Sequence, residues 1–380
     1  MKYRKFGELD WKVSALGFGA MRFPVLNGDM SKVDEPQVIQ MIRYAVDHGV
    51  NYIDSAYGYH RGNSEIAIGK ALQDGYREKV KIATKLPCHD AMTSKDFDRI
   101  LNEELKRLQT DKIDFYLLHH LNRLVWPKMR DLGILKWADS AIADGRINYF
   151  GFSYHDNFET LKEILDSYDW TVCQLQYNYM DIDLQSGTHG VEYAHKKGMA
   201  VVIMEPIKGG RIINPPEKVA EIWAKAPAQR TPQEWALRWV WNHLEVACVL
   251  SGMSKMQHVI ENVAFAEHSE PNNLTATELK LFDQVRETYR ALGPVNCTAC
   301  GYCMPCPNGV YIPRVLEYYN EAVLFNDASR RKMMYSDAHM ITKEQRGDNC
   351  IKCGICVEKC PQNLPIPELL EKAHAYLIQK

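Results

Sequence analysis

Along the first 290 residues the chain switches repeatedly between two hydrophobic periods. Short runs are apolar at most positions: "VSALGFGAM", "NYIDSAY", "VKIATKL", "DFYLLHH", "INYFGFS", "TVCQLQY", "AVVIMEP" and "ACVLSGM". Between them lie longer stretches whose apolar residues return every three or four positions, among them "EPQVIQMIRYAVDHG", "SKDFDRILNEELKRLQ" and "QEWALRWVWNHL". The first kind suits a strand buried on both faces, because a parallel sheet covered by helices leaves neither side to water. The second kind lays one apolar stripe along a helix. Eight such strand–helix units predict an α/β protein with a (β/α)8 TIM barrel. A doubly wound sheet would use the same alternation, but no G-x-G-x-x-G follows the first run. The opening "KYRKFGELDWKV" carries a turn at "GELD" and reads as a short hairpin across the barrel's bottom.

The rhythm stops near Gly293-Pro294, after "TATELKLFDQVRETYRAL", a helix opened by a Thr cap with Glu278 in its first turn. The sequence therefore divides into a barrel over residues 1–292 and a small domain over 293–380. That second part carries "CTACGYCMPCP" and "CIKCGICVEKCP", each with four cysteines and a closing proline, Pro307 or Pro361. The second run has the C-x2-C-x2-C-x3-C-P spacing of a ferredoxin [4Fe–4S] cluster, and the first is one residue tighter before its last Cys. In two-cluster ferredoxins the fourth Cys of each run ligates the other run's cluster. Applied here, one cluster takes Cys297, Cys300, Cys303 and Cys360, and the other takes Cys350, Cys353, Cys356 and Cys306. Gly301 and Gly354 follow the second Cys of each run, and "NGVYIP" and "QNLPIP" follow the runs in parallel, so the reading is a small ferredoxin-like iron–sulfur domain with an internal pseudo-twofold. A single cluster, or zinc held by C-x2-C pairs, is the alternative.

Composition narrows the classes. The net charge is −2 and no Lys/Arg block stands out, so a nucleic-acid footprint is absent. The longest apolar stretches, such as "MAVVIMEPI", are about nine residues, too short to span a membrane. No apolar core follows the basic start, so a signal peptide is not expected and the chain reads as cytoplasmic. In that reducing compartment dense cysteines point to metal before disulfide. Cys88, Cys173 and Cys248, outside the two runs, read as small buried hydrophobes.

Chemistry in such a barrel sits at the C-terminal ends of the strands. There Asp54, Tyr59, Lys85 and His119 fall on three successive strand ends, with Tyr57 and His120 as neighbours of the same type. Each alone reads equally as a cap, a surface ring, a solvated cation or a core histidine. Together they make a set that handles one proton: a Lys favours phenolate on a nearby Tyr, an Asp keeps that Lys charged, and a His donates to an oxygen gaining charge.

With "DSAYGY", "TKL", "YLLHH", "GFS" and "VIENV" in this order, the chain resembles the aldo-keto reductases over its whole length. More narrowly it resembles the subgroup with a C-terminal ferredoxin-like [4Fe–4S] domain. The resemblance implies Tyr59 as general acid with Asp54, Lys85 and His119, and NAD(P)H extended across the barrel mouth. It implies Ser153 and Gln174 at the nicotinamide carboxamide, with Tyr154 where the family has Asn, and Met204 where it has a stacking Tyr. Met21, Pro206, Gly209 and Gly210 belong to the same cofactor path, the "EPIKGGR" loop reaching the pyrophosphate. Gly252, Lys255, Glu261 and Asn262 stand in the adenosine segment. His258 stands where an Arg often grips the 2′-phosphate, which leaves NADH and NADPH both open.

Two enzymatic readings follow. One is an NAD(P)-dependent oxidoreductase interconverting an aldehyde, ketone or sugar and its alcohol, with the clusters structural. The other passes electrons through the clusters to a ferredoxin-type partner, which needs a step between two-electron hydride and one-electron clusters. A non-catalytic redox or iron sensor is a third reading, against which the complete tetrad argues. The substrate pocket is expected from loop residues such as Tyr57, Trp126 and Tyr154 and from the cluster domain itself.

Overall fold

Eight parallel strands close into a barrel, in a computed structural model that describes every residue except 298–300, 326–327, 339, 361 and 380. A hairpin comes first, β1 (Tyr3–Phe6) against β2 (Leu9–Ser14). The barrel strands are β3 (Leu16–Gly19), β4 (Tyr52–Asp54), β5 (Lys81–Leu86), β6 (Ile113–Leu121), β7 (Ile147–Tyr154), β8 (Val172–Gln176), β9 (Ala200–Met204) and β10 (Val246–Gly252), and β10 pairs with β3 to close it. Each of the eight apolar runs falls on one of these strands. The first run divides, because Val13 and Ser14 finish the hairpin and only Leu16–Gly19 joins the barrel.

The hairpin plugs the barrel floor. Phe6 packs with Tyr52, Phe115, Val172 and Ala200, its ring 4.7 Å from Phe115 and 5.3 Å from Trp11. Burying such large rings excludes water from the end opposite the chemistry, each fully buried side chain contributing about 2 kcal/mol. Cys173 and Cys248 are fully buried in the barrel strands and Cys88 just beyond β5, as small hydrophobes are, and burial pushes the Cys88 thiol up to about 12.

One irregularity matters for the site. Between β6 and β7, Leu118 pairs with Phe152 and Leu121 with Tyr154, so β6 takes three steps where β7 takes two. The extra residue makes a β-bulge at His119-His120, and His120 adopts a left-handed φ of 64°.

The compact units divide at residue 275, where the sequence placed the break at 292. One unit is 1–213 with 230–275; the other is 214–229 with 276–380. The helix Ala276–Leu292 thus groups with the cysteine-bearing segment, Phe282 meeting Trp223 edge-on at 5.0 Å. The second unit has its own core, with Val310, Leu316, Tyr318, Tyr335, Ile366 and Leu370 buried together. Among the described residues it contains helices and turns and no strand. Its pseudo-twofold is visible in the backbone. Each cysteine run leads into a 13-residue helix beginning Ile-Pro, Ile312–Leu324 and Ile366–Ile378, and the preceding residues share one conformation, Tyr311 at φ −85°, ψ 72° and Pro365 at −75°, 72°. Gly301 and Gly354 match as well, at φ 79° and 78°, a region open to glycine at little cost. Among the described residues no helix is long and apolar enough to cross a membrane.

Candidate active site and cluster pocket

Four of the expected side chains meet at the barrel mouth. Asp54 ends β4 and Lys85 lies near the end of β5, both buried. The Lys85 ammonium donates to Asp54 Oδ1 at 2.7 Å and to the Ser55 carbonyl at 2.6 Å. Lys85 Nζ also lies 5.2 Å from the centre of the Tyr59 ring, and that ring meets His119 edge-on at 5.8 Å. Tyr59 opens a short 3-10 turn, Tyr59–Gly62, and His119 sits in the β6 bulge.

Electrostatics set the protons. Burial opposes the Lys85 charge, but Asp54 and Tyr59 outweigh it and hold the ammonium above its ordinary value. Burial pushes the Asp54 carboxyl up, with Lys85 and Gln174 pulling it back. Tyr59 departs from the sequence expectation. Lys85 does favour phenolate, yet burial is the larger effect and the phenol lies above 10.0. Burial, with Lys85, His120 and His89 nearby, drives His119 well below 6.5, so its imidazole is neutral at pH 7.

Tyr57 is turned elsewhere. Its hydroxyl donates to Glu103 Oε2 at 2.9 Å, and the Arg107 guanidinium lies 4.3 Å over its ring. Arg107 also donates to the Tyr57 carbonyl at 3.0 Å and to Glu65 Oε2 at 3.2 Å, bracing the loop that carries Tyr59. Behind it Thr84 donates to the buried Glu65 at 2.6 Å, and burial, with Glu65 beside it, drives the Glu104 carboxyl well above 4.5. This brace, from the helix Lys95–Leu108, was missed by sequence reasoning. Its local signal, Glu103 four residues before Arg107, looks like any solvated helix pair.

The expected cofactor residues are dispersed around the same mouth. Gln174, on β8, donates its amide to Asp54 Oδ2, which leaves its buried carbonyl Oε1 without a partner among the described residues. A buried acceptor left open is costly and fits an N–H donor such as a carboxamide. Ser153 is buried and its hydroxyl accepts the His120 N–H at 2.8 Å. Met204 ends β9 half-buried, Pro206 is buried and Met21 exposed. Gly209 and Gly210 have φ of 66° and 91° in a turn steadied by Lys208, whose ammonium donates to Asp181 at 2.7 Å. Gly252 at the end of β10 and Lys255 beyond it are exposed, His258 Nδ1 accepts the Ser254 N–H at 3.4 Å, and Glu261 accepts from Gln257. Asn262 is committed to Ser251 Oγ at 2.8 Å. Arg22 was missed. Its stem lies against Gly252 and its guanidinium against Gly209, where added Cβ atoms would meet Arg22 Cδ and Nη2 at 3.1 Å each. A basic residue just past the first barrel strand was the available signal.

Two residues expected in the substrate pocket are instead core packing. Trp126 is buried edge-on against Trp170 at 6.1 Å, and the Tyr154 hydroxyl donates to the Asn157 carbonyl at 2.6 Å.

In the second unit Cys303, Cys306, Cys350, Cys353 and Cys356 line a small pocket with Pro307, Ile312, Ile351, Ile355, Pro367 and Leu370. Burial raises the Cys356 thiol, and Cys350, Cys353 and Cys306 raise it further, so the crossing cysteine of the first run lies beside three of the second. Cys297, Cys303 and Cys360 pack partly buried against the same core, and Cys300 lies outside the described residues. Among the described residues no three ligating side chains converge as a single ion requires.

Comparison with known proteins agrees with this architecture. Residues 15–287 match the Aldo/keto reductase family and residues 296–364 the 4Fe-4S dicluster domain. "Probable aldo-keto reductase 1" of Glycine max is 26% identical over 294 residues, 68% of this chain and 82% of that protein. The holo form of an aldo-keto reductase from Bacillus halodurans is 26% identical with a TM-score of 0.63, covering 75% of this chain and 96% of that one. A Klebsiella pneumoniae aldo-keto reductase in complex with NADPH, 21% identical with a TM-score of 0.61 and covering 75% and 95%, shares the fold. The barrel, its strand-end site and the match over most of its length make this chain a member of the aldo/keto reductase family, with a C-terminal 4Fe-4S ferredoxin-like domain.

Proposed function

We infer that the protein is an NAD(P)-dependent oxidoreductase that interconverts a small carbonyl compound and its alcohol at Tyr59. The observation that carries this is the buried Asp54–Lys85 ion pair set beside the Tyr59 and His119 rings. A bound nicotinamide dinucleotide supplies or accepts the hydride. The chain's own residues manage the proton. As the carbonyl carbon gains hydride, its oxygen takes the Tyr59 proton, and the phenolate left behind is stabilised by the Lys85 ammonium. Asp54 keeps Lys85 in place. Neutral His119 donates an N–H to the same oxygen without adding charge. Gln174 Oε1 and Ser153 would hold the carboxamide, and Arg22 with the Gly209-Gly210 turn would receive the diphosphate.

The thiols would hold two [4Fe–4S] clusters, one on Cys306, Cys350, Cys353 and Cys356, the other on Cys297, Cys300, Cys303 and Cys360. Electron exchange with a ferredoxin-type carrier is a second reading, favoured by the exposure of Cys353 at the pocket mouth. Anaerobic turnover with NADH and NADPH on a panel of aldehydes, ketones and sugars tests both. Nucleotide oxidised one-for-one with carbonyl, at constant cluster absorbance, is the expected result. Bleaching that tracks substrate would replace the first reading by the second.

A further inference from the structure

The brace behind Tyr57 reaches further than the loop it touches. Its centre is Glu65, a fully buried carboxylate in the first turn of the helix Asn63–Ala71. Glu65 Oε1 accepts the Thr84 hydroxyl at 2.6 Å, and Oε2 accepts Arg107 Nη1 at 3.2 Å. Glu104 Oε1 stands 3.4 Å from the same hydroxyl, the weaker contact for its single hydrogen.

Thr84 and Lys85 are neighbours in β5, and successive strand residues face opposite ways. Lys85 points to Asp54 at the mouth, so Thr84 points outward to the helices, where Glu65 meets it. A shift of Thr84 against Glu65 carries Lys85 with it.

On its other side Glu65 holds the Tyr59 turn. The Arg107 nitrogen that bonds Glu65 also donates to the Tyr57 carbonyl at 3.0 Å. The guanidinium lies directly on the turn, since a Cβ at Gly62 would meet Arg107 Cζ and Nη1 at 2.9 Å each. The turn needs such support. His60, Arg61 and Gly62 follow one another at φ of 51°, 54° and 91°. The left-handed region costs a residue with a Cβ about 1 kcal/mol or more. The backbone bond from the Tyr57 N–H to the Lys85 carbonyl is 3.4 Å long, a loose tie between this loop and β5.

One carboxylate therefore fixes both the strand that carries Lys85 and the turn that carries Tyr59. Stability alone does not ask for it, because a buried ion pair often adds nothing net over apolar residues of the same volume. The quantity it governs is the 5.2 Å between Lys85 Nζ and the centre of the Tyr59 ring. We propose that Glu65 is a positioning residue, which with Thr84 and Arg107 sets that separation. The inference rests on the hydride-transfer reading for what the separation does, since a phenolate on Tyr59 is stabilised by a charge that must stay close.

The test uses anaerobic holoenzyme with an activated aldehyde, 4-nitrobenzaldehyde, and the variants Thr84→Val, Thr84→Ser and Glu65→Gln. Thr84→Val keeps the shape and removes the hydroxyl, and should lower kcat by about tenfold or more. KM should stay within about twofold, and Thr84→Ser should recover most of the rate. Glu65→Gln should lose at least as much as Thr84→Val, and if it does not fold the Thr84 pair decides. In a Tyr59→Phe background Thr84→Val should cost nothing further, because residues that act through one another are not additive. An equal loss in that background, a Thr84→Val enzyme with normal kcat, or a Thr84→Ser enzyme as slow as Thr84→Val would overturn the proposal. Ring-labelled 13C-tyrosine spectra need no turnover. The resonance that disappears in Tyr59→Phe should move in Thr84→Val and return in Thr84→Ser. That response in an enzyme inactive on every carbonyl would sink the hydride reading and leave the positioning role standing. A Tyr59 resonance unmoved by Thr84→Val would overturn the positioning role even where kcat falls.

Discussion

In the barrel unit, order comes from a sheet that closes on itself, each strand paired along both edges, and from rings such as Phe6 and Phe115 that fill the floor. The cysteine-bearing unit is joined in another way. Among its described residues it has no strand ladder, and isolated hydrogen bonds tie its segments together. The Tyr311 N–H donates to the Gln345 carbonyl at 2.9 Å, the Gly347 N–H to the Tyr335 hydroxyl at 2.8 Å, and the Asn320 side chain brackets Val295 at 2.9 and 2.7 Å. The buried cluster around Leu316, Tyr318 and Leu370 shows that apolar packing contributes here too. What separates the units is how much of that packing is made by thiols that metal would bridge.

Removing a bridging ligand should separate them most. Cys306→Ser takes away the first-run cysteine that stands with Cys350, Cys353 and Cys356. Iron should drop from about eight to about four per chain. Anaerobic proteolysis should then cut within 276–380 while 1–213 stays protected. If the tail resists cleavage after all iron is lost, its helices alone carry it and the contrast fails.

Next in size is Tyr59→Phe, which should lower carbonyl turnover by roughly 10²–10⁴. Both units should keep their protease patterns and dinucleotide binding should persist, because the ring still fills its place. A variant that turns over normally would remove Tyr59 from the reaction. Arg107→Met asks how far the rigid unit holds its site through second neighbours. Loss of the brace on the Tyr57 carbonyl should cut kcat by roughly tenfold to a hundredfold with KM little changed. A rise in KM alone would mean that Arg107 serves binding.

The smallest effect expected is a near absence of pH dependence. His119 titrates well below 6.5 and Tyr59 above 10.0, so the proton donor stays protonated and the imidazole neutral throughout that interval. Reductive kcat, measured with a neutral aldehyde, should vary by less than about twofold between pH 7 and pH 9. A fall through that window would place an unrecognised titrating group in the reaction.

Much of this was legible in the sequence. Eight apolar runs name eight strands because burial on both faces leaves little choice of residue, and strand ends locate Asp54, Lys85 and His119 by counting. The resemblance put Tyr59 ahead of Tyr57, and in the structure Tyr57 is held by Glu103 and Arg107 while the Tyr59 ring stands beside Lys85 and His119. What stayed hidden depends on partners distant in sequence. The bulge exists only in the register of β6 against β7, which neither strand states alone. The brace depends on Arg107 standing beside a loop fifty residues earlier. Trp126 and Tyr154 sit near strand ends in the chain, yet packing and one hydroxyl–carbonyl bond turn them inward. The compact units divide just before the helix Ala276–Leu292, whose own sequence shows nothing local to say which core it joins.

The bulge at His119-His120 also bears on how such an enzyme can change. In a regular strand adjacent positions face opposite ways, so a residue next to a reacting one is normally out of reach of the substrate. One inserted residue removes that restriction and gives neighbouring codons separable duties. Under the proposed reaction, position 119 is pinned by its duty beside Tyr59. Position 120, fixed through its backbone N–H to Ser153, can exchange its side chain while that anchor remains. Drift at a single site can therefore redirect what the barrel accepts while the proton chemistry beside it is inherited intact.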